Sequence, residues 1–353
     1  MSQLPIRRAI LERRTYEPPG EGRAKKVRLD FNENTSGCSP AVLGALAKLS
    51  AKQIAMYPEY ERSTQRLARH FGVSADELLL ANGGDDALRT FFDAFVDPGS
   101  SILIAEPTFP MYRYYAEIVG ANIIALRYTT EMQFPLSDVI AALEDKPRVL
   151  FIANPNNPTG TLVRTAEIET ILQAATHTAV VIDEAYAEFS EVTVVPLIKK
   201  YAHLFVARTF SKAAGLAGLR LGAVIGGAES VAILKRGMPP FPVNLAVLVA
   251  AEAAIADKST TRRYVWQVQR VRTWFEEQLA KLEVKTYPSS GNFLLADFGP
   301  RGPELFRALE RAGILVRERS KDLGPGFARI TIGTPSEMER LTRVIRRFIR
   351  EKN

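Results

Sequence analysis

Between residues 39 and 226 short β-branched, largely apolar runs alternate with segments of helical periodicity. The runs are 101–105, 122–128, 149–153, 179–182, 204–207 and 219–225; a helical segment at 87–96 precedes them, and others at 136–143 and 167–175 lie between them. A strand that is apolar along its whole length must be covered on both faces, and helical crossovers join strands in parallel. The pattern therefore predicts an α/β fold around a mostly parallel sheet. Ligands of such sheets sit outside the carboxyl ends of the strands, so the residues just after each run are the candidates for chemistry.

Beyond residue 243 the pattern changes. A long helical stretch (243–283) leads to strands at 292–297, 314–317 and 327–332, with a helix at 303–312. A closing helix is marked by Thr334 and Glu337 as a capping box, Pro335 at its first position, and an apolar stripe of Met338, Leu341, Ile345 and Phe348. These elements predict a smaller α+β domain. The opening residues are charged and rich in Pro and Gly (Pro5, Pro18, Pro19, Gly20, Gly22) and read as an arm. The expected division is an arm over 1–34, a large domain over 35–250, and a small domain over 251–353 that packs with the arm.

Composition excludes several classes. With 353 residues, 46% hydrophobic and 24% charged, the chain is neither disordered nor fibrous, and its length suits two domains. The net charge of +7 could suggest nucleic acid, but part of the excess (Arg343, Arg346, Arg347, Arg350) lies in the last turns of the closing helix. Cations there complement the helix dipole, so no nucleic-acid partner is expected. One cysteine, Cys38, permits no internal disulfide, and His70, His177 and His203 lack ligand spacing, so no metal is expected. The N-terminal residues lack a signal peptide's apolar stretch, and charges such as Arg220, Glu229 and Glu252 interrupt the most apolar windows. The expectation is a soluble, cytoplasmic protein without a membrane span.

Five segments follow strands of the large domain. Asn82-Gly83-Gly84-Asp85-Asp86 opens a helix; its free N–H groups suit an anion such as phosphate, although an Asp-capped loop has the same composition. Phe109, in Glu106-Pro107-Thr108-Phe109, would stack on a flat ring or pack in the core. Asn154-Pro155-Asn156-Asn157-Pro158-Thr159-Gly160 is a loop directly after an apolar strand. Asp183-Glu184-Ala185-Tyr186 puts a carboxylate at the end of a buried strand, where it is costly unless it meets a cation. Arg208-Thr209-Phe210-Ser211-Lys212 runs on through Gly215 and Gly218 to Arg220.

Together these segments supply a ring-sized site with a phosphate cradle, an acid, a phenol and a lysine, the set that a phosphorylated pyridine aldehyde requires. The chain resembles the fold-type I pyridoxal-phosphate aminotransferases of the class I/II group, over residues 16 to 333, and within them most resembles the histidinol-phosphate aminotransferases. The resemblance implies a large domain with a seven-stranded, mostly parallel sheet between helices. It makes Lys212 the Schiff-base lysine and Asp183 the partner of the pyridine nitrogen. Tyr186 and Asn157 become donors to the phenolate oxygen, and Phe109 the stacking ring. Gly84, Asp85, Thr209, Ser211 and Arg220 would hold the phosphate of pyridoxal 5′-phosphate. Tyr57 would reach the phosphate in a partner subunit, so a homodimer with composite sites is implied.

The same resemblance assigns Tyr16, Asn32, Glu33, Arg317 and Arg329 to the substrate. An arginine fork suits a carboxylate or a phosphate, and Glu33 could accept an imidazole N–H. The implied substrates are histidinol phosphate and 2-oxoglutarate. Thr35, Gly37, Cys38, Asp86, Phe109 and Ala214 depart from the usual family residues on the pocket side. An aromatic amino-acid aminotransferase is therefore the alternative, with a phosphothreonine-type decarboxylase on the same scaffold behind it. A cofactor-sensing DNA-binding regulator would need a longer segment before Asn32.

Overall fold

The computed structural model describes residues 4–11 and 22–350. Among the described residues there are twelve strands: β1 Val27–Leu29, β2 Leu78–Ala81, β3 Ser101–Glu106, β4 Asn122–Arg127, β5 Val149–Ala153, β6 Ala179–Asp183, β7 Leu204–Thr209, β8 Gly222–Gly226, β9 Lys285–Tyr287, β10 Phe293–Asp297, β11 Ile314–Glu318 and β12 Phe327–Thr331.

Seven of these form one sheet in the order β2-β8-β7-β6-β5-β3-β4. Strands β3 to β7 pair in parallel, and β8 runs antiparallel to both of its neighbours. Alternate side chains of the central strands enter two separate cores. Leu150, Ile152, Ile182 and Val206 pack on one face, and Phe151, Val181 and Phe205 on the other. The continuous apolar runs follow from this double burial, since each fully buried aliphatic or phenyl side chain contributes about 1.5–3 kcal/mol. On the second face Phe92, from helix Gly83–Phe95, stacks on Phe151 with ring centroids 5.1 Å apart.

The other sheet has the order β1-β11-β12-β10-β9. Helices Lys258–Ala280, Gly302–Arg311 and Pro335–Arg350 cover it with Phe275, Leu305, Leu309, Met338, Leu341 and Ile345. The capping box expected at the last helix is formed: Glu337 accepts from the Thr334 N–H at 2.7 Å, and the Glu337 N–H reaches the Thr334 hydroxyl at 3.4 Å.

Several boundaries differ from the sequence expectation. The stretch 243–283 is two helices, Leu245–Ala256 and Lys258–Ala280. Asp257 separates them and caps the second by accepting from the Thr260 N–H at 3.3 Å. The helix expected from residue 87 begins at Gly83, one turn earlier, so both glycines lie in its first turn. Val27–Leu29, inside the expected arm, is a strand that pairs in parallel with Ile314–Val316.

That pairing brings the residues after β1 to the carboxyl ends of the first sheet. Asn32, in the left-handed region at φ 54°, donates its backbone N–H to Thr331 at 2.9 Å and accepts from the Asn292 amide at 3.1 Å. Gly160 closes the seam at φ +81°, where a Cβ would lie 2.6 Å from the Ser289 side chain. Only glycine fits that backbone at that separation. No described helix is long and apolar enough to cross a membrane.

Candidate active site

A cavity of about 350 Å³ lies where the carboxyl ends of β3, β5, β6 and β7 meet the second sheet. Its walls bring together Gly84, Asp85, Phe109, Asn157, Asp183 and Tyr186 from widely spaced parts of the chain. The β7 loop adds Thr209, Ser211, Lys212 and Arg220. Glu33, Arg317 and Arg329 enter from the side of the second sheet.

Asp183 ends β6 part-buried, and its two oxygens have separate partners. Oδ2 accepts from the Tyr112 hydroxyl at 2.8 Å, and Oδ1 accepts from the Ala185 N–H at 3.1 Å. Loss of solvation pushes its carboxyl up to about 6, against the two hydrogen bonds that favour the ionised form. No ion pair to Asp183 forms among the described residues. It is an acid at a cavity wall that lacks a cation.

Lys212 follows β7 on the loop through Phe210 and Ser211. Its Nζ donates to the Phe31 carbonyl at 3.0 Å. Loss of solvation, reinforced by the positive charge of Arg329, lowers the amine to about 8. An ordinary lysine at neutral pH is almost wholly protonated, whereas this one is about a tenth neutral, the nucleophilic form.

Tyr186 is buried, and burial raises its phenol. Its hydroxyl accepts from the Asn32 amide at 2.8 Å, which leaves the phenolic proton to donate elsewhere. Asn157 accepts from Arg329 through Oδ1, so its amide N–H groups stay available as donors. At the opposite end of the cavity the helix Gly83–Phe95 begins. The Ser211 N–H and the Thr209 hydroxyl lie 3.1 Å apart, and Arg220 reaches Asp85 at 3.1 Å. A Cβ on Gly83 would collide with the Arg220 guanidinium, so glycine there leaves room for a cation beside a helix N-terminus, where an anion is favoured.

Two predicted residues lie elsewhere. Asn32 is fully buried behind Tyr186 and does not line the cavity. Tyr57 is 77% exposed outside it, stacked on Phe241 with centroids 4.3 Å apart. Tyr16 lies outside the described residues. Glu33 lines the cavity, but one of its oxygens is held by Arg28 in an ion pair.

Residues 24–345 match the family model for aminotransferases of class I and II. The chain belongs to that family. Relatives of this aminotransferase chain include the histidinol-phosphate aminotransferase of Geobacillus thermodenitrificans, 36% identical over 343 residues, with 94% of this chain and 92% of that protein covered. A Geobacillus sp. histidinol-phosphate aminotransferase is 35% identical over 333 residues, covering 92% and 91%. The crystal structure of the Sinorhizobium meliloti histidinol-phosphate aminotransferase in complex with pyridoxal-5′-phosphate superposes with a TM-score of 0.90. That match is 24% identical and covers 100% of this chain and 99% of the other, so the two share a fold.

The aminotransferase site also contains residues that the sequence reading missed. Tyr112, fully buried on helix Met111–Val119, holds the Asp183 carboxylate, and no local pattern distinguishes it from a core tyrosine. Arg319 lines the cavity with Arg317 and is ion-paired to Asp322. Its signal was the two-residue spacing from Arg317, which places both side chains on one face of an extended segment. Phe31 lies beneath Arg317, whose guanidinium is 5.8 Å from the ring centroid.

Proposed function

We propose that this aminotransferase-family chain binds pyridoxal 5′-phosphate through Lys212 and moves the amino group of histidinol phosphate to 2-oxoglutarate. One observation carries the reading: a lysine with a lowered proton affinity and a carboxylate without a cation partner face a single cavity. The residues fit the cofactor. Asp183 offers the carboxylate that a pyridinium N–H requires, Phe109 a flat ring, and Gly84, Asp85, Thr209, Ser211 and Arg220 an anion-binding end.

When bound, the cofactor supplies an electron-withdrawing ring that stabilises negative charge on the substrate carbon bearing nitrogen. The side chains do the rest. Lys212 Nζ would remove the proton from that carbon and, as the acid, deliver it to C4′ of the cofactor, so that the amino group stays with the cofactor and the substrate leaves as a ketone. Asp183, held by Tyr112 and Ala185, keeps the ring nitrogen protonated. Tyr186 and Asn157 donate to the phenolate oxygen. Arg317 and Arg329, with Tyr16 and Glu33 at the substrate's far end, hold its anionic and imidazole groups. Asn32 acts through Tyr186, to which it donates at 2.8 Å.

The reading extends to a cytoplasmic homodimer, in which Tyr57 reaches the phosphate bound by a second copy. Its support is the exposed apolar cluster of Ile54, Met56, Tyr57 and Phe241, a surface suited to burial in an interface. The proposed division remains an arm over 1–34, a large domain over 35–250 and a small domain over 251–353, with β1 contributed by the arm to the small domain's sheet.

The test is steady-state kinetics of the cofactor-loaded protein with 2-oxoglutarate, comparing histidinol phosphate with phenylalanine by kcat/KM. A large preference for histidinol phosphate is expected. Preference for phenylalanine would reject the substrate, and carbon dioxide release in place of glutamate would reject amino transfer.

A further inference from the structure

We propose that Arg208 and Glu184 are positioning residues that set the spacing between Asp183 and Lys212 from the face of the sheet opposite the cofactor. The proposal rests on the cofactor reading above. Strands β6 and β7 pair in register as far as Asp183 and Ala207, and the last backbone hydrogen bond joins the Glu184 N–H to the Ala207 carbonyl at 2.9 Å. Beyond that rung the two chains part, one to Tyr186 and the other to Lys212. Nothing in the backbone ladder fixes their separation where the chemistry needs it.

Glu184 and Arg208 are the first residues past the rung. Alternation along a strand sends their side chains to the face opposite Asp183 and Ala207, the face of Ile182 and Val206. There Arg208 Nε lies 3.0 Å from Glu184 Oε2, with the two side chains only 12% and 1% exposed. Each end is tied again. Glu184 accepts from the Val194 N–H at 2.7 Å and from the Thr193 hydroxyl at 2.8 Å. Arg208 reaches Glu188 at 3.3 Å and Thr193 at 3.3 Å, and lies over the Phe71 ring.

The clamp is coupled to the site through its neighbours. Asp183 adjoins Glu184, and its Oδ1 is fixed by the Ala185 N–H. Thr209 adjoins Arg208 and holds Ser211 through the N–H at 3.1 Å and the hydroxyl at 3.0 Å, one residue before Lys212. An enclosed carboxylate tolerates little displacement from its cation, because separation exposes an uncompensated charge. The pair therefore resists the spreading of the two loops that carry the lysine and the ring acid.

The test compares wild type with Arg208→Met, Arg208→Lys and Glu184→Gln, each with and without pyridoxal 5′-phosphate. Three quantities are read: the dissociation constant of the cofactor, the circular dichroism of its visible band, and the melting temperature of the cofactor-free chain. Arg208→Met and Glu184→Gln are expected to weaken cofactor binding at least tenfold and to alter the visible dichroism, which reports how the ring is held. Arg208→Lys should recover most of both. If dichroism and dissociation constant stay at wild-type values while only the melting temperature falls, the pair is scaffold alone and the proposal is overturned. Should Arg208→Met fail to fold, Glu184→Gln, nearly isosteric and differing in charge, decides by the same two readouts. A wild-type chain that binds no cofactor overturns the cofactor reading itself, whereas normal wild-type binding with unchanged variants overturns only the clamp.

Discussion

Arg329 on β12 donates through Nη1 to Oδ1 of Asn157, 172 positions earlier, and so joins the second sheet to the loop after β5. Its Nη2 donates to the Asp30 carbonyl, and its Nε is buried without a hydrogen-bond partner. Burial lowers the guanidinium to about 10, which still leaves it cationic at neutral pH. A cation with so little compensation is prepared for an anion, and its planar fork matches a carboxylate or phosphate.

Arg329→Lys keeps the charge but loses the fork and the link to Asn157. It should lower kcat/KM for both the amino donor and 2-oxoglutarate by about 2–5 kcal/mol, roughly 30-fold to several-thousand-fold. Steady-state kinetics with each substrate varied in turn reads this directly. An effect confined to one substrate would mean that the two anions use different arginines.

Asp183 costs the cofactor-free protein stability. Its folded pKa of about 6 lies above the ordinary 3.8, so the folded state binds the proton more tightly. Stability therefore falls as pH rises from about 4 to about 6 and stays reduced above that. At 1.36 kcal/mol per unit the cost reaches up to about 3 kcal/mol, less whatever water in the cavity screens. Asp183→Asn should raise the unfolding free energy of the cofactor-free chain at pH 7.5 and leave it unchanged near pH 4. The same substitution should weaken cofactor binding. Urea titrations at the two pH values measure the first effect; equal shifts at both would show that the carboxyl is not perturbed.

The central strands and the site loops were legible because each is local. Val149–Ala153 and Ala179–Ile182 are apolar end to end, and Asp183, Lys212 and their neighbours stand together in short segments at or just after the strand ends. The short strands β1 and β9, three residues each and carrying Arg28 or Lys285, lack enough sequence to show a period. The Tyr112–Asp183 and Arg329–Asn157 contacts join residues 71 and 172 positions apart, so they exist only once the fold does. The place of Asn32 behind Tyr186 was not legible, because its turn depends on Thr331 and Asn292 from β12 and the approach to β10.

Lys212 gives a second pH signature. With its amine lowered to about 8, the neutral form is half populated near that pH instead of near 10.5. The rate at which the cofactor-free protein captures pyridoxal 5′-phosphate should rise about tenfold per pH unit below 8 and level off above it. Arg329→Gln removes a positive charge that lowers the amine, so the plateau should move to higher pH. Stopped-flow absorbance follows both. A plateau that stays in place in the variant would remove Arg329 as a cause.

Tyr57 is the residue by which the proposed homodimer can be tested. It is 77% exposed and stacked on Phe241 outside the cavity, so within one chain it touches none of the site. Tyr57→Phe should weaken cofactor binding without altering the monomer fold. A mixture separates a role in trans from a role in cis. In a dimer of one Lys212→Ala and one Tyr57→Ala subunit, the second subunit keeps its lysine and receives an intact Tyr57 from the first. Random exchange makes half the dimers mixed with one sound site in each, so activity should return to about a quarter of wild type. If Tyr57 served its own subunit, every site in the mixture would lack one group and activity would not recover.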